Sequence, residues 1–290
     1  MIAEVVHLRL GDPFRRVWLR ALSRPRVSRV AASLADRRPP GALLRPLMRL
    51  YVRAYGVNLA EAAQPLESYP TFNAFFTRRL RDRARPLDAD PGAVLSPCDA
   101  RLTTLGPVPG DGQLEQIKGR TYSLAALLGG PEAEEFAHGT QATLYLSPAM
   151  YHRVHAPVSG VLRSWRYLPG RLFPVNDLAV RMVDGLFVRN ERVAMIIDSP
   201  QMGPVAVVMV GATNVGRITL AFDGLTTNAG LPATAVRPAV PIPIARGQEL
   251  GAFNLGSTVV LLVARPTLRA ETAPGALVQM GQALWRTCAQ

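Results

Sequence analysis

The stretch RGQELGAFNLGSTVVLLVARP, residues 246–266, governs how the rest of the chain is read. Val259, Val260, Leu261, Leu262 and Val263 run apolar without alternation. A continuous aliphatic run of that length, bounded by Gly256 and Pro266, is the pattern of a strand buried on both faces. Gly256 and Ser257 stand where the chain would turn into that strand. They are either an ordinary turn or a Gly-Ser bond with a function of its own.

Upstream, the same strand-like texture continues. From residue 140 onward short β-branched segments recur between Gly, Pro and Asn: ATLYLSP, HRVHAPVSGVLRSWRYLP, RVAMIID and PVAVVMVGATNVGRITLAF. Short strands are also expected near Ala93–Leu95 and Arg101–Leu105. The N-terminal part differs. Phe14, Val17, Trp18, Ala21 and Leu22 fall at helical spacing, as do Leu44, Leu47, Met48, Tyr51, Val52 and Tyr55. Pro39-Pro40-Gly41 separates the two segments. YPTFNAFFTRRL, residues 69–80, reads as a further short helix. The expectation is an α+β protein, with N-terminal amphipathic helices followed by a β-rich catalytic body. Residues 1–65 form the helical region and residues 66–290 the body.

Charge is concentrated at the same end. The chain of 290 residues carries a formal net charge of +12. Twelve arginines but only Glu4, Asp12 and Asp36 lie in residues 1–55. A basic region of this kind suits an anionic partner, either lipid headgroups or nucleic acid. Arginine-faced helices carrying Trp and Phe favour a membrane interface, and the alternative is that their apolar stripes pack on the protein's own core. Neither a signal peptide nor an uninterrupted apolar run of membrane-spanning length is present. Cys98 and Cys288 have no metal or redox spacing, which leaves a reduced, cytosolic-side location as the default.

Candidate chemistry is sparse. The four histidines are His7, His138, His152 and His155. His152 and His155 share YHRVHAP. Their spacing puts them on opposite faces of an extended segment, which argues against a metal pair, so no metal site is expected. Asp99 in SPCDA, His155 in RVHAP and Ser257 in LGST could form an acid–base–nucleophile set. The strand-turn-helix elbow G-x-S-x-G is absent. Lys118 is the only lysine, so an enzyme acting on amines here needs an electrophile other than a lysine-bound pyridoxal phosphate.

These residues lie within segments that occur together in one family. FNAFFTRRLRDRARPLD, LSPCDARL, LSPAMYHRVHAPVSG, LFPVN, LFVRNERV and GQELGAFNLGSTVVLLV appear in family order between about Tyr69 and Arg265. The chain resembles the phosphatidylserine decarboxylase proenzymes of the bacterial membrane-associated, pyruvoyl-dependent type. The resemblance implies that Asp99, His155 and Ser257 form a self-cleavage triad acting on the Gly256–Ser257 bond. It implies that Ser257 becomes a pyruvoyl group, the only cofactor expected and the Schiff-base site for substrate. His152 is implied as a proton donor in decarboxylation. The family has Gly where this chain has Ala100, a substitution that a left-handed backbone would penalise.

The implied reaction converts phosphatidylserine to phosphatidylethanolamine and carbon dioxide in phospholipid biosynthesis. Implied partners are the lipid substrate, an anionic membrane surface, and a heterodimer of large and small chains ending at Gly256 and beginning at Ser257, or a higher oligomer of it. No nucleic acid is expected. The implied location is the cytoplasmic face of the cell membrane, held peripherally. Two alternatives use the same features: a serine hydrolase working through Asp99, His155 and Ser257, and a basic nucleic-acid-binding protein.

Overall fold

A computed structural model describes residues 23–117, 119–213, 217–254, 257–265 and 267–288. The first amphipathic segment, Phe14–Leu22, and Lys118 and Gly256 lie outside the described residues.

Strands β1 (Ala93–Leu95) and β2 (Ala100–Pro107) come first, then the hairpin of β3 (Gln113–Ile117) and β4 (Arg120–Ser123). β5 (Thr140–Leu146), β6 (Arg153–His155) and β7 (Gly160–Leu168) follow. Next are β8 (Arg192–Ser199), β9 (Gly203–Gly211), β10 (Ile218–Leu220), β11 (Thr234–Val236) and β12 (Ile242–Ile244). The chain ends through β13 (Glu249–Phe253), β14 (Ser257–Val263), β15 (Leu268–Ala270), β16 (Leu277–Val278) and β17 (Ala283–Thr287).

β14 lies inside a nine-stranded sheet ordered β11-β7-β8-β9-β14-β5-β2-β16, with β12 also paired to β7. It is antiparallel to both neighbours along its whole length, with Ser257 opposite Leu146 of β5 and Gly211 of β9. All seven of its residues are buried. The unbroken apolar run has a direct cause. Val259, Leu261 and Val263 enter one core with Leu144, Met209 and Trp285, whereas Val260 and Leu262 enter a second core with Leu127, Phe136 and Val208. Such runs are most familiar from parallel sheets. Here an antiparallel sheet acquires the same texture because both of its faces are covered. Burying each Val or Leu contributes about 1.5–3 kcal/mol, as an upper bound.

The second face is covered partly by short helices that lack a long amphipathic signature in the sequence: α4 (Leu124–Leu128), α5 (Asp177–Met182) and α6 (Leu186–Arg189). Before them come α1 (Pro25–Ala35), α2 (Gly41–Tyr55) and α3 (Phe72–Phe76). Pro25 opens α1, where its missing N–H costs nothing. α2 ends at Gly56, whose φ of 69° provides the left-handed cap.

The α2 stripe divides between the two environments weighed for it. Leu44 and Met48 are buried in a cluster with Val57, Leu66, Tyr69 and Phe75. Tyr51 packs beside this cluster, and its hydroxyl donates to the Pro148 carbonyl at 2.7 Å. Leu47 is instead exposed, together with Leu43 and Leu50.

A smaller sheet, β10-β13-β6, packs where β13 leads toward β14. It carries His155 opposite Glu249. The segment before β2 carries Asp99, and Pro97 O accepts from His155 N at 2.8 Å. Three segments distant in sequence therefore converge near the start of β14.

Candidate active site

Ser257 opens β14 and is 1 % exposed. Its Oγ is buried and, among the described residues, has no hydrogen-bond partner. A buried hydroxyl left unpaired costs about 1–3 kcal/mol, so it is not there for stability.

His155 is held at both ring nitrogens. Nδ1 lies 2.8 Å from Gly247 O, and Nε2 lies 3.0 Å from Tyr151 Oη. A carbonyl oxygen only accepts, so Nδ1 carries the proton and Nε2 presents its lone pair to the Tyr151 hydroxyl. That is the tautomer a general base requires. Burial keeps the ring neutral by pushing its pKa below the usual imidazole value, against smaller upward effects that include the Gly247 bond and the charges of Glu249 and Asp99.

Gly247 can aim its carbonyl because it adopts a φ of +80°, with Leu87 Cδ1 only 2.5 Å from where a Cβ would stand. Both conditions select glycine there.

Asp99 stands close by but is engaged elsewhere. Arg85 donates Nε to Oδ1 at 2.8 Å and Nη2 to Oδ2 at 2.6 Å, and Met280 N donates to Oδ1 at 2.9 Å. Arg85 also reaches Glu61 Oε2 at 2.8 Å. Two parallel charge-assisted bonds outcompete a single bond to a neutral imidazole. The orientation of His155 expected from Asp99 is therefore supplied in this structure by the Gly247 carbonyl. Asp99 acts on the ring through its charge.

Nor are the hydroxyl and the base hydrogen-bonded to one another, because Tyr151 occupies Nε2 and Ser257 Oγ is unpartnered. Asp99 and His155 sit on neighbouring segments, through the Pro97 bond, without contact between their polar atoms. Gly256, the other half of the expected scissile bond, is outside the described residues.

His152 is fully buried, its ring tilted at 44° against that of Phe76 with centroids 4.0 Å apart. Nδ1 donates to Met150 O at 2.8 Å, which leaves Nε2 as a lone pair without a partner among the described residues. Burial lowers its pKa to about 3, and the nearby Arg78 charge adds to this. In this state the ring accepts a proton at Nε2, and it can donate one there only after taking one up.

Ala100 begins β2 in extended backbone. Non-glycine residues with positive φ among those described are Arg83, His138 and Asn228, so the departure from Gly at position 100 introduces no left-handed strain.

Sequence reasoning missed Arg85, Tyr151 and Gly247. All three lie inside quoted motifs: Arg85 in RARP, Tyr151 in YHRVH, and Gly247 at the head of GQELG. Their pairing, however, is a tertiary fact that no local spacing encodes.

The family model described as Phosphatidylserine decarboxylase matches residues 72–286. Curated relatives carry the name phosphatidylserine decarboxylase proenzyme. The one from Bordetella petrii is 46% identical over 267 residues, covering 89% of this chain and 92% of the relative. One from Anaeromyxobacter sp. is 43% identical over 272 residues, covering 92% and 95%. Another, from Alkalilimnicola ehrlichii, is 50% identical over 222 residues, covering 74% and 76%.

Proposed function

We propose, from the premise that this chain belongs to the phosphatidylserine decarboxylase family, that it matures by cutting itself at Gly256–Ser257 and works through a pyruvoyl group made from Ser257. The enzyme converts phosphatidylserine to phosphatidylethanolamine and carbon dioxide. Family membership favours this over the hydrolase and nucleic-acid alternatives.

The observation that carries the proposal is the Ser257 hydroxyl, buried and unpartnered at the head of a fully buried strand. In the proposed maturation, Tyr151 releases Nε2 of His155, and that nitrogen takes the Ser257 proton. Oγ attacks the Gly256 carbonyl, and the acyl group moves from nitrogen to oxygen. Elimination breaks the new ester and frees the Gly256 carboxylate. Hydrolysis then converts residue 257 to a pyruvoyl group with loss of ammonia. Gly247 fixes the tautomer of the base, and Asp99 stabilises its protonated form at a distance.

The residue types fit a pyruvoyl group at this position. The orphaned hydroxyl is what its formation consumes, and the lysine-poor sequence has no other amine-reactive group in view. The group supplies a ketone and an electron sink for the carbon left when carbon dioxide departs. His152 Nε2, fully buried and unprotonated, is suited to collect a proton from the substrate amine and return it to that carbon. Pairing of β14 with β5 and β9 holds the small chain, residues 257–290, in the large chain as a heterodimer after the cut.

Residues 1–65 are assigned to membrane association and residues 66–290 to catalysis. Exposed Val27, Val30 and Leu34 on α1, and Leu43, Leu47 and Leu50 on α2, stand among Arg37, Arg38, Arg45, Arg49 and Arg53. Such a surface fits the interface of an anionic bilayer on its cytoplasmic side. Among the described residues no helix is long and apolar enough to cross a membrane. A purified Ser257→Ala chain tests the reading: it remains one polypeptide and releases no carbon dioxide from phosphatidylserine vesicles. Carbon dioxide release from that variant would refute it.

A further inference from the structure

Arg78 is a buried cation without a matching anion. It is 4 % exposed. Its Nη2 donates to Ala149 O at 3.1 Å and its guanidinium lies over the Phe75 ring at 5.5 Å, but Nε and Nη1 have no partner among the described residues. The carboxylates whose charge it feels, Asp99 and Glu61, are both already paired with Arg85. Burying a guanidinium with two of its nitrogens unpaired is costly, and those N–H groups are donors that an anionic ligand can satisfy.

The space for such a ligand is present. Arg78 lines a cavity of about 320 Å³ together with Gln64, Tyr69, Thr77, Arg79 and Arg153. Among the described residues, none that lines it is acidic. Arg153, which pairs with Glu249, belongs to β6 between His152 and His155. Ala149, the anchor of Arg78, is three residues beyond Leu146, the cross-strand neighbour of Ser257. At most about 11 Å of chain and one strand spacing of about 5 Å therefore separate the anchor from the reacting residue.

We propose that this cavity binds the phosphodiester of the lipid headgroup, with Arg78 as its principal donor. The inference rests on the decarboxylase reading for the identity of the substrate. That headgroup offers two anions, and the chemistry selects between them. The carboxylate loses its charge as carbon dioxide forms, so a guanidinium clamped on it would stabilise the ground state and oppose the reaction. The phosphodiester keeps its charge throughout, and binding it anchors substrate and transition state alike. Arginine is suited to this oxyanion, and charge-assisted hydrogen bonds are the strong kind.

The test is calorimetric titration of the full-length Ser257→Ala chain with glycerophosphoethanolamine, which has the phosphodiester and no carboxylate, and separately with free serine, which has the reverse. Binding of glycerophosphoethanolamine weakened about 10- to 100-fold by Arg78→Gln, and weakened less by Arg78→Lys, is the expected result. On the self-processed enzyme, Arg78→Gln raises KM for short-chain phosphatidylserine by a similar factor and leaves kcat within about 3-fold. No binding, equal binding by the variant, or an Arg78 effect on serine in place of glycerophosphoethanolamine overturns the proposal. Should Arg78→Gln fail to fold, Ala63→Trp at the exposed rim narrows the cavity with Arg78 in place. It must weaken the same titration, and an unchanged affinity counts against the site. A wild-type enzyme that bound glycerophosphoethanolamine but released no carbon dioxide would remove the decarboxylase reading and leave the anion site standing.

Discussion

The Tyr151 hydroxyl lies 3.0 Å from Nε2 of His155, the nitrogen assigned to take the Ser257 proton. Because Gly247 O fixes the proton on Nδ1, Tyr151 is the donor in this bond and holds the lone pair that maturation needs. Tyr151→Phe removes a competing bond worth about 0.5–1.5 kcal/mol, so self-cleavage accelerates about 2- to 10-fold. A time course of chain separation on denaturing gels measures this. Slower cleavage would instead make Tyr151 a residue that maturation requires.

Arg85 lies between Asp99 and Glu61, and Arg85 and Asp99 are almost entirely buried. Arg85→Gln leaves a buried carboxylate without its partner and costs about 3–5 kcal/mol in urea unfolding. Adding Asp99→Asn removes the stranded charge and recovers part of that loss. Self-cleavage stays slow in the double variant, because the charge that stabilises protonated His155 is gone. Recovery of both stability and cleavage would show that Asp99 matters only for packing.

Acid lability should follow from His152. Its folded pKa of about 3 lies below the unfolded value of about 6.5, so the unfolded chain takes up the proton first. The stability involved is fully present above pH 6.5 and is lost as pH falls toward 3. His152→Asn preserves a donor to Met150 O and cannot charge. Its acid-unfolding midpoint, followed by circular dichroism, moves to lower pH. An unchanged midpoint would place the acid sensitivity elsewhere. His155 is shifted in the same direction by burial, so self-cleavage declines with acid at a lower pH than an ordinary imidazole would dictate, as a pH series of cleavage time courses would show.

In the proposed cut form, packing retains the small chain. Leu261 is 0 % exposed in the sheet centre. Leu261→Ala opens a cavity and destabilises by about 2–5 kcal/mol. Gel filtration in moderate urea then separates the cut chains at a lower denaturant concentration than for the parent. Co-elution at the same concentration would mean that β15 to β17 alone hold the chain.

Much of this could be read from the sequence. The run Val259–Val263 announced a buried strand because its aliphatic residues leave no polar face. Asp99, His155 and Ser257 were picked out by the ordered family motifs around them, because their spacing alone carries little signal. What the sequence hid was the pairing. Nothing near Asp99 reveals that Arg85 will claim both of its oxygens, and nothing in YHRVH reveals that a glycine carbonyl 92 residues away fixes the histidine tautomer. α4, α5 and α6 were also hidden, because helices this short carry too few turns for a periodic stripe.

Intact-mass spectrometry of purified, active protein tests the central claim most directly. The account predicts two polypeptides, the smaller covering residues 257–290 and lighter by one ammonia than the same peptide beginning with serine. A single uncut chain that decarboxylates phosphatidylserine would contradict it.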